Sequence, residues 1–559
     1  MTGTLHLHVL KLNEMLRKKL CFLYVCMGFI CTAIAQEKLV YHNIKTDATQ
    51  KILPWYNPDP GISYDHVLEL VWKFWDTMRR DINGIPYYMN HQIWKAGFNE
   101  SKGIGGDQLA MALSSWRLYY QYTGDEQVKE NMKFMTDYYL THSLSPANAA
   151  WPDIPFPYNT FIYSGIYDGD MVIGKDYTQP DKAGSFGIEL LQFYKMMANE
   201  DYPSTVHENY LRAAIKIANT LARHTKDGDE NNSPMPFKVN AFNDSVGVLK
   251  NNNRSGQTAG LSNYTTNWAG TLELFLGLKK MGVGETALYQ QAFDRIMQWM
   301  KKYPLQNNKW GPFFEDIPGW SDTQINAITF AQFMMNYPEY FPDWKSEVRK
   351  IFDWVYANLG NDKWKKYGIT AINEQTAYKV PGNSHTARQA SAELQYMWIT
   401  GDRSGYDNCV RQLNWATYMV DHDGKNFYPT NGVWMTDGYG DYTRHYLRAM
   451  AAAPELAPST ENHLLFSTSV VQHMFYRGQL GKYYFPAIRD PSKTELHYAT
   501  YDTVGTEVIR LTKKPGGVLF NNVPARENDK QNGYEWKPLA KGGTLTIRRT
   551  NARQVTVLR

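Results

Sequence analysis

Cysteine is almost absent from the part of this chain that is expected to fold. The sequence has four cysteines, and Cys21, Cys26 and Cys31 all lie in one apolar segment near the N-terminus. Cys409 is the one that follows this segment, so an intrachain disulfide is excluded for the rest of the chain. The fold must therefore be stabilised by packing and hydrogen bonds.

Charge of one sign and long apolar runs are also missing. The 59 Lys and Arg residues nearly balance the 55 Asp and Glu residues, so the net charge of +4 shows no excess typical of nucleic-acid binding. After residue 35 no stretch approaches the roughly 20 apolar residues of a membrane-spanning helix. There is no Gly-x-Ser-x-Gly elbow, no phosphate-binding loop and no His pair with a third metal ligand nearby. We expect no nucleic-acid partner, membrane span, metal or cofactor.

The apolar N-terminal segment has the pattern of a secretory signal. Basic residues 17–19 precede the apolar residues 20–32, and Ala33-Ile34-Ala35 forms a small-x-small cleavage site. We expect cleavage after Ala35 and a secreted or periplasmic product. Cys31 lacks the small residue that precedes a lipidated cysteine, which favours a soluble product over a lipoprotein.

The most informative feature is a sixfold alternation of helix patterns and loops. Apolar residues with i, i+3, i+4 spacing mark amphipathic helices, as in the run from Leu109 to Tyr120. Connections alternate between short links and long loops rich in Gly, Asn, Asp and aromatics, which is the signature of a repeat. Outer helices are predicted near 64–80, 125–141, 205–226, 285–303, 344–360 and 403–420. Inner helices are predicted near 105–122, 182–199, 262–281, 321–337, 384–400 and 439–453, with a further helix near 461–476.

Twelve helices arranged as six hairpins close naturally into a double ring. We predict a mainly α chain, an (α/α)6 toroid of six helical hairpins over residues 64–476. Residues 36–63 contain Pro54, Pro58 and Pro60 and are predicted to form an extended lead-in. Period-two patterns after Gly478 predict a small β-sandwich-like domain over residues 477–559.

This pattern resembles the (α/α)6 toroid of carbohydrate-active enzymes, which include glycoside hydrolases, polysaccharide lyases and sugar epimerases. The resemblance covers residues 64–476 and rests on helix count, loop asymmetry and aromatic loops. It implies a funnel lined by the long loops and the N-termini of the inner helices. We predict an exported glycoside hydrolase acting on a poly- or oligosaccharide. A polysaccharide lyase and a non-catalytic glycan-binding protein are the alternatives.

Carboxylates in two long loops are the predicted acids and bases. Asp168 and Asp170 lie in the longest loop, and Glu315 and Asp316 follow two phenylalanines in the fourth loop. A glycosidase needs two carboxyl groups across the scissile bond. The alternative for Asp168 and Asp170 is that they build a turn.

The starts of the last two inner helices supply the other reactive residues. Tyr442 and His445 are three residues apart and are predicted to share a helix face. His445 and Tyr442 are predicted to be the base and acid of a β-elimination, or His445 orients the substrate. Arg388 and Arg444 suit a uronate carboxylate. A structural pair of Asp441 with His445 is the alternative. The predicted substrate-binding residues are Trp151, Asp153, Tyr158, Asn159, Trp320, His385, Arg388, Trp434, Asp441 and Arg444.

Overall fold

The computed structural model describes residues 37–77, 106–156, 176–198, 204–249, 260–313, 320–426, 429, 439–479 and 491–559. Long helices dominate residues 60–452. They are α1 (Pro60–Thr77), α2 (Gly106–Thr123), α3 (Glu126–His142), α4 (Pro180–Met197), α5 (Ser204–His224), α6 (Ala269–Met281), α7 (Thr286–Lys302), α8 (Gln324–Asn336), α9 (Trp344–Leu359), α10 (Asn383–Thr400), α11 (Tyr406–Thr417) and α12 (Tyr439–Ala452).

The even-numbered helices form a ring. Each of them contacts the next, from α2 through α4, α6, α8 and α10 to α12, and α12 returns to α2. The odd-numbered helices pack outside this ring, each against a neighbouring even-numbered helix. Buried apolar side chains from all of these helices belong to one continuous core.

The two layers follow from the sequence pattern. In α7 the buried residues include Tyr289, Phe293, Ile296 and Met300, which form one stripe facing the ring. In α8, by contrast, eleven of the thirteen residues are buried, because this helix is covered by neighbours on most sides. None of the helices in the described part of the chain is long and apolar enough to cross a membrane.

Helices α4 and α6 approach closely through glycine. A Cβ at Gly184 would lie 1.8 Å from Thr271 Oγ1 and 2.9 Å from Thr271 Cα. On the opposite helix, a Cβ at Gly270 would lie 2.8 Å from the Cα of Ser185. Neither position has room for a methyl group, so the two backbones can pack at this distance only with glycine.

The C-terminal part consists of two five-stranded sheets. Their strands are β1 (His463–Ser467), β2 (Val471–Tyr476), β3 (Thr494–Thr500), β4 (Gly505–Leu511), β5 (Gly517–Phe520), β6 (Val523–Pro524), β7 (Arg526–Glu527), β8 (Gly533–Pro538), β9 (Gly543–Arg549) and β10 (Gln554–Leu558). In one sheet, the strand order is β2-β3-β10-β5-β6, and in the other it is β7-β8-β9-β4-β1, with β7 and β8 parallel and the other pairs antiparallel. The Tyr498 hydroxyl of one sheet lies 3.4 Å from Glu507 Oε2 of the other.

The prediction of a helix near 461–476 was wrong, because β1 and β2 occupy this segment. Strand β1 pairs with β4, and β2 pairs with β3. The Ser467-Thr468-Ser469 turn separates two short runs rich in apolar and aromatic residues, which pair with later strands that the local pattern does not reveal. The β region therefore begins before residue 477.

Two other boundaries also differ from the prediction. Helix α6 begins at Ala269 rather than near residue 262, because residues 262–268 run without helical structure beside the chain around Lys238 and Gly247. The lead-in ends before Pro60, the first residue of α1, whereas the prediction extended it to residue 63. Proline fits the first turn of a helix because its missing N–H would have no intrahelical partner there.

The β region covers the face of the ring where the inner helices end. Lys129 Nζ of α3 donates to the Gln472 carbonyl of β2 at 2.9 Å, and Gln472 Nε2 donates to the Lys195 carbonyl of α4 at 3.0 Å. The Tyr476 hydroxyl donates to the Tyr122 carbonyl of α2 at 2.9 Å. These bonds leave the opposite face, where the inner helices begin, to the long loops.

We expect Gly184→Ala to lower the free energy of unfolding by about 1–3 kcal/mol, because an added methyl must displace Thr271 or separate α4 from α6. Gly517→Ala is the matched control, since a Cβ there meets its nearest atom, Leu558 Cδ1, at 3.8 Å. Urea unfolding followed by circular dichroism measures both variants. Equal destabilisation by the two substitutions would contradict the close approach.

Candidate functional site

A cavity of about 460 Å³ lies along the axis of the inner ring. All the even-numbered helices contribute to its wall, and Leu465, Phe466 and Ser467 of β1 close part of one end. Arg388 and Ile399, which are eleven residues apart on α10, both line it. At 1.5 Å per helical residue the cavity therefore extends for roughly 16 Å. This axial cavity has the volume of a small-ligand site.

Charged side chains line the part of the axial cavity nearest the helix starts. Glu273, Arg388 and Arg444 each lie within the first six residues of their helices, so they form one layer beneath the loop face. Within the described residues, the lining cations outnumber the lining carboxylates by four to two. The cations are Lys182, Arg388, Arg444 and Arg448, and the carboxylates are Glu189 and Glu273.

Glu273 is a carboxyl group with an altered protonation equilibrium. Burial raises the pKa of Glu273 to about 7, and the nearby Glu189 carboxylate adds to this shift, although Arg448 and Arg117 oppose it. Glu189 itself accepts from Arg117 Nε at 3.4 Å. Two neighbouring carboxyl groups thus have different surroundings, and Glu273, with its raised pKa, can donate a proton at neutral pH.

Arg448 lies one helical turn beyond Arg444 on α12, so the charged layer extends one turn deeper into the cavity. The charges of Arg444 and Arg448 both lower the pKa of Arg388, after burial. Burial, followed by the charge of Arg444, lowers the pKa of Arg448 to about 9, and burial lowers the pKa of Arg444 to about 10. Both remain cationic at neutral pH. Arg388 Nη1 donates to Gln324 Oε1 at 2.6 Å, and Arg444 Nη1 donates to Ser114 Oγ at 3.0 Å. These bonds fix the positions of two cations whose mutual repulsion an anion would relieve.

His445 lines the axial cavity beside these cations and is fully buried. Burial, followed by the charges of Arg388 and Arg444, lowers the pKa of His445 well below its usual value. The same two kinds of cause lower the pKa of His385, with Arg388 as the charged neighbour. Both imidazoles are therefore neutral at neutral pH, and a neutral imidazole can accept a proton.

Lys182 is a cation with a counter-ion outside the cavity wall. Its Nζ donates to Asp181 Oδ2 at 3.0 Å and to the Phe313 carbonyl at 2.9 Å. Asn267 Nδ2 also donates to Asp181 Oδ2, at 3.0 Å. The charge of Lys182 is thus largely compensated, and the three arginines carry the positive potential of the layer.

Three of the predicted site residues meet in the axial cavity, namely Arg388, Arg444 and His445. Tyr442 does not join them. Its hydroxyl donates to the Ala416 carbonyl of α11 at 2.9 Å, on the outer side of α12. Tyr442 and His445 therefore do not lie in one site. Helix α12 is buried on both sides, and the two side chains contact different neighbours.

Trp151 and Asp153 also lie away from the axial cavity. Trp151 is 1% exposed, its ring stacks on His224 at 3.8 Å, and its Nε1 donates to Asp244 Oδ1 at 2.7 Å. Asp153 accepts from Lys216 Nζ at 2.9 Å. The structure places Trp151 in the core, because the loop that carries it folds back onto α5.

Trp320 presents an aromatic surface near the loop face. It is 44% exposed, and its Nε1 donates to Asp322 Oδ2 at 2.8 Å. Asp322 Oδ1 accepts from the backbone N–H groups of Trp310 and Gly311 at 2.7 and 2.9 Å. Asp322 thus holds the indole in place, and the ring of Tyr264 lies 5.0 Å from it.

The remaining predicted residues lie outside the part of the chain that the structure describes. These are Tyr158, Asn159, Asp168, Asp170, Glu315, Asp316 and Trp434, together with the side chain of Asp441. Across the described residues, no group of three or more His, Cys, Asp or Glu side chains is arranged to hold a metal ion.

Sequence reasoning missed Glu189, Glu273 and Arg448. Each stands inside an inner helix, where a charged residue interrupts an apolar run, as in Gly187-Ile-Glu-Leu-Leu191 and Thr271-Leu-Glu-Leu-Phe275. A charged side chain inside a buried helix requires a polar environment. A charged residue within an apolar helical run can be read from the sequence, and in this structure these three residues line the axial cavity.

We expect Glu273→Gln to make the stability of the protein less dependent on pH. The pKa of Glu273 is about 7 in the folded protein, above the usual 4.5. A raised carboxyl pKa contributes stability at acidic pH that is lost as the pH rises through about 7. The melting temperature of the variant, relative to wild type, should therefore increase from pH 5 to pH 8. Glu130→Gln, at an exposed position on α3, is the control, and a parallel pH course for both variants would contradict the shift.

No protein-family model matches this chain, and no curated protein matches its sequence. A cellobiose 2-epimerase from Spirochaeta thermophila is similar in structure, with 14% identity over 70% of this chain and 96% of the epimerase and a TM-score of 0.49.

Two further solved structures are similar at the same level. A family 76 glycoside hydrolase from a bovine Bacteroides thetaiotaomicron strain has 11% identity over 71% of this chain and 78% of its own, with a TM-score of 0.44. A polysaccharide lyase has 13% identity over 71% and 97%, with a TM-score of 0.41. These three solved structures are an epimerase, a glycoside hydrolase and a polysaccharide lyase, and at this level of likeness they indicate no single activity.

Proposed function

We propose that the protein is a carbohydrate-processing enzyme, and within that class a glycoside hydrolase acting on a uronate-bearing poly- or oligosaccharide. In this proposal each odd-numbered helix and the following even-numbered helix form one of six hairpins of an (α/α)6 toroid. The observation that carries the proposal is the charged layer of the axial cavity, where Arg388, Arg444 and Arg448 lie with a partly protonated Glu273.

The arginines support an anionic substrate. Glu374 offsets part of the charge of Arg388, and Glu273 is only partly ionised near its pKa of about 7. The guanidinium groups of Arg388, Arg444 and Arg448 thus place positive charge on the wall of the cavity. The inner helices begin at this end, and helix N-termini also favour anions. A uronate carboxylate can accept two parallel hydrogen bonds from a guanidinium, which gives both affinity and orientation.

The carboxyl groups support hydrolysis. Glycosidic bond cleavage requires one acid that protonates the leaving oxygen and one carboxylate that acts as base or nucleophile. Glu273 has the pKa of such an acid, and Glu189 lies close enough to affect that pKa. Asp168, Asp170, Glu315 and Asp316, on the long loops, are proposed to complete the acid–base set above the cavity.

A polysaccharide lyase is the second candidate, and His445 favours it. A neutral imidazole beside Arg388 and Arg444 can remove the C5 proton of a uronate whose carboxylate the arginines neutralise. The acid predicted for this reaction, Tyr442, contacts Ala416 instead of the cavity. This leaves the elimination with a base and no assigned acid, so hydrolysis is the better-supported reaction. A glycan-binding protein without catalysis is the outcome if no product forms.

We also propose that the protein is exported after cleavage following Ala35, on the pattern of residues 17–35. N-terminal sequencing of exported material tests this. A chain that still contains the basic residues 17–19 would contradict it.

Digestion of acidic and neutral polysaccharides, with products measured by mass and by reducing ends, tests the reaction. Hydrolysis adds one water per cleavage, whereas elimination yields a product short by one water with a conjugated double bond that absorbs in the ultraviolet. We expect hydrolytic products from an acidic polysaccharide. Activity on neutral polysaccharides alone would contradict the proposed substrate.

Arg448→Gln should reduce kcat/KM on the acidic substrate by about ten- to a hundredfold, since a hydrogen bond to a charged group contributes about 1.5–3 kcal/mol. Arg212→Gln, at an exposed position on the outer helix α5, is the matched control and should stay near wild type.

Glu273→Gln should lower kcat by about a hundredfold or more, as expected for a general acid. Wild-type kinetics in both cavity variants would refute the placement of the reaction in the charged layer.

A further inference from the structure

The axial cavity has a second end, on the face where the inner helices terminate. Its wall there includes Asn336 at the end of α8, Gln395, Trp398 and Ile399 at the end of α10, and Phe466 of β1. Trp398 and Ile399 are 48% and 42% exposed. This Trp398 end therefore reaches the surface beside the β region, about three helical turns from the charged layer.

The Trp398 end differs in chemistry from the charged layer. Trp398 and Phe466 form an aromatic corner, with ring centroids 5.5 Å apart and an interplanar angle of 72°. This contact holds the indole in place, while about half of the Trp398 side chain stays exposed. The charged lining residue nearest to this end on α12 is Arg448, three residues before Ala451. The other residues of its wall are Ala451, Ala452, Leu465 and Ser467.

Amide groups stand next to the aromatic corner. Gln395 Nε2 donates to Asn336 Oδ1 at 2.7 Å, and Gln332 Nε2 lies 3.4 Å from Gln395 Oε1. An amide has two N–H donors and an oxygen with two lone pairs, so these bonds use only part of its capacity. The amides are thus held in fixed positions with further donors and acceptors toward the cavity.

An open aromatic plane beside ordered amides matches the two sides of a neutral sugar ring. The C–H face of the ring packs on the indole, and the hydroxyl groups exchange hydrogen bonds with the amides. Arg388 and Arg444 stand near the starts of their helices, so a uronate is better matched at that end, and aromatic and amide groups predominate at the Trp398 end. The two ends of one cavity therefore suit different sugar units.

We infer that the Trp398 end of the axial cavity is a second saccharide-binding site that takes a neutral sugar ring. The inference rests on the proposed function for the class of ligand and goes beyond it in site and in sugar type. One substrate chain, or a product and a substrate, then occupies the cavity with its acidic unit at the arginines and a neutral unit at Trp398.

Isothermal titration calorimetry with cellotriose, maltotriose and xylotriose tests this site. At least one of these neutral trisaccharides should bind the wild-type protein. Trp398→Ala should weaken that binding about two- to twelvefold, the range for loss of one aromatic contact, and Trp398→Phe should restore most of it. Tyr56→Ala, which removes an exposed aromatic ring that does not line the cavity, should leave the affinity unchanged.

Three results would overturn the inference. They are absence of binding by all three probes, equal affinity of wild type and Trp398→Ala, and a concentration-dependent self-association in sedimentation velocity that Trp398→Ala abolishes. The last would show that this patch contacts a second copy of the chain. Cleavage of acidic polysaccharide by Trp398→Ala reports separately on the charged layer, so failure of the second site and failure of the proposed reaction are distinguishable.

Discussion

The close packing of the inner helices around one axis is the constraint on which the rest of the structure depends. Helices α4 and α6 approach so closely at Gly184 and Gly270 that no side chain fits between their backbones. Side chains on the inward faces of the ring therefore project to the axis. A ring of helices leaves space there, and the side chains that line this space determine what the space can bind.

In this protein the axis contains charge. Burying a guanidinium or a carboxylate costs free energy unless a partner compensates it, so a charged layer inside a helical ring is a poor device for stability. The pKa values of Glu273, Arg444 and Arg448 all move in the direction that burial of charge dictates. Perturbed ionisable groups of this kind cluster at functional sites, which is why we propose this layer as the substrate site. The β region contributes to the same site, since Phe466 and its neighbours close part of the far end.

Much of the helical architecture could be predicted from the sequence, because apolar spacing in a helix is local and regular. The predicted helices lie within a few residues of the observed ones for most of the ring. The prediction for segment 461–476 failed because its conformation is decided by pairing with residues that follow 20 to 47 positions later. The start of α6 failed because residues 262–268 bond to a distant loop.

The site could be predicted only in part. Arg388, Arg444 and His445 stand near helix starts, where the repeat pattern places them on the loop face, and the structure brings them together. Glu273 was not predicted because it stands inside an inner helix, whereas the predicted site residues lie on loops and at helix starts. Trp151 lies in a loop rich in aromatic residues, as binding loops often are, yet its ring stacks on His224 in the core. Whether an aromatic residue is exposed depends on tertiary packing, which a single sequence does not show.

A crystal structure of the Glu273→Gln protein in complex with a uronate-containing disaccharide tests the axial site most directly. We expect the carboxylate of the sugar to accept hydrogen bonds from Arg388, Arg444 or Arg448, within the axial cavity. A disaccharide bound elsewhere with this cavity unoccupied, or one whose carboxylate contacts none of the three arginines, would contradict it.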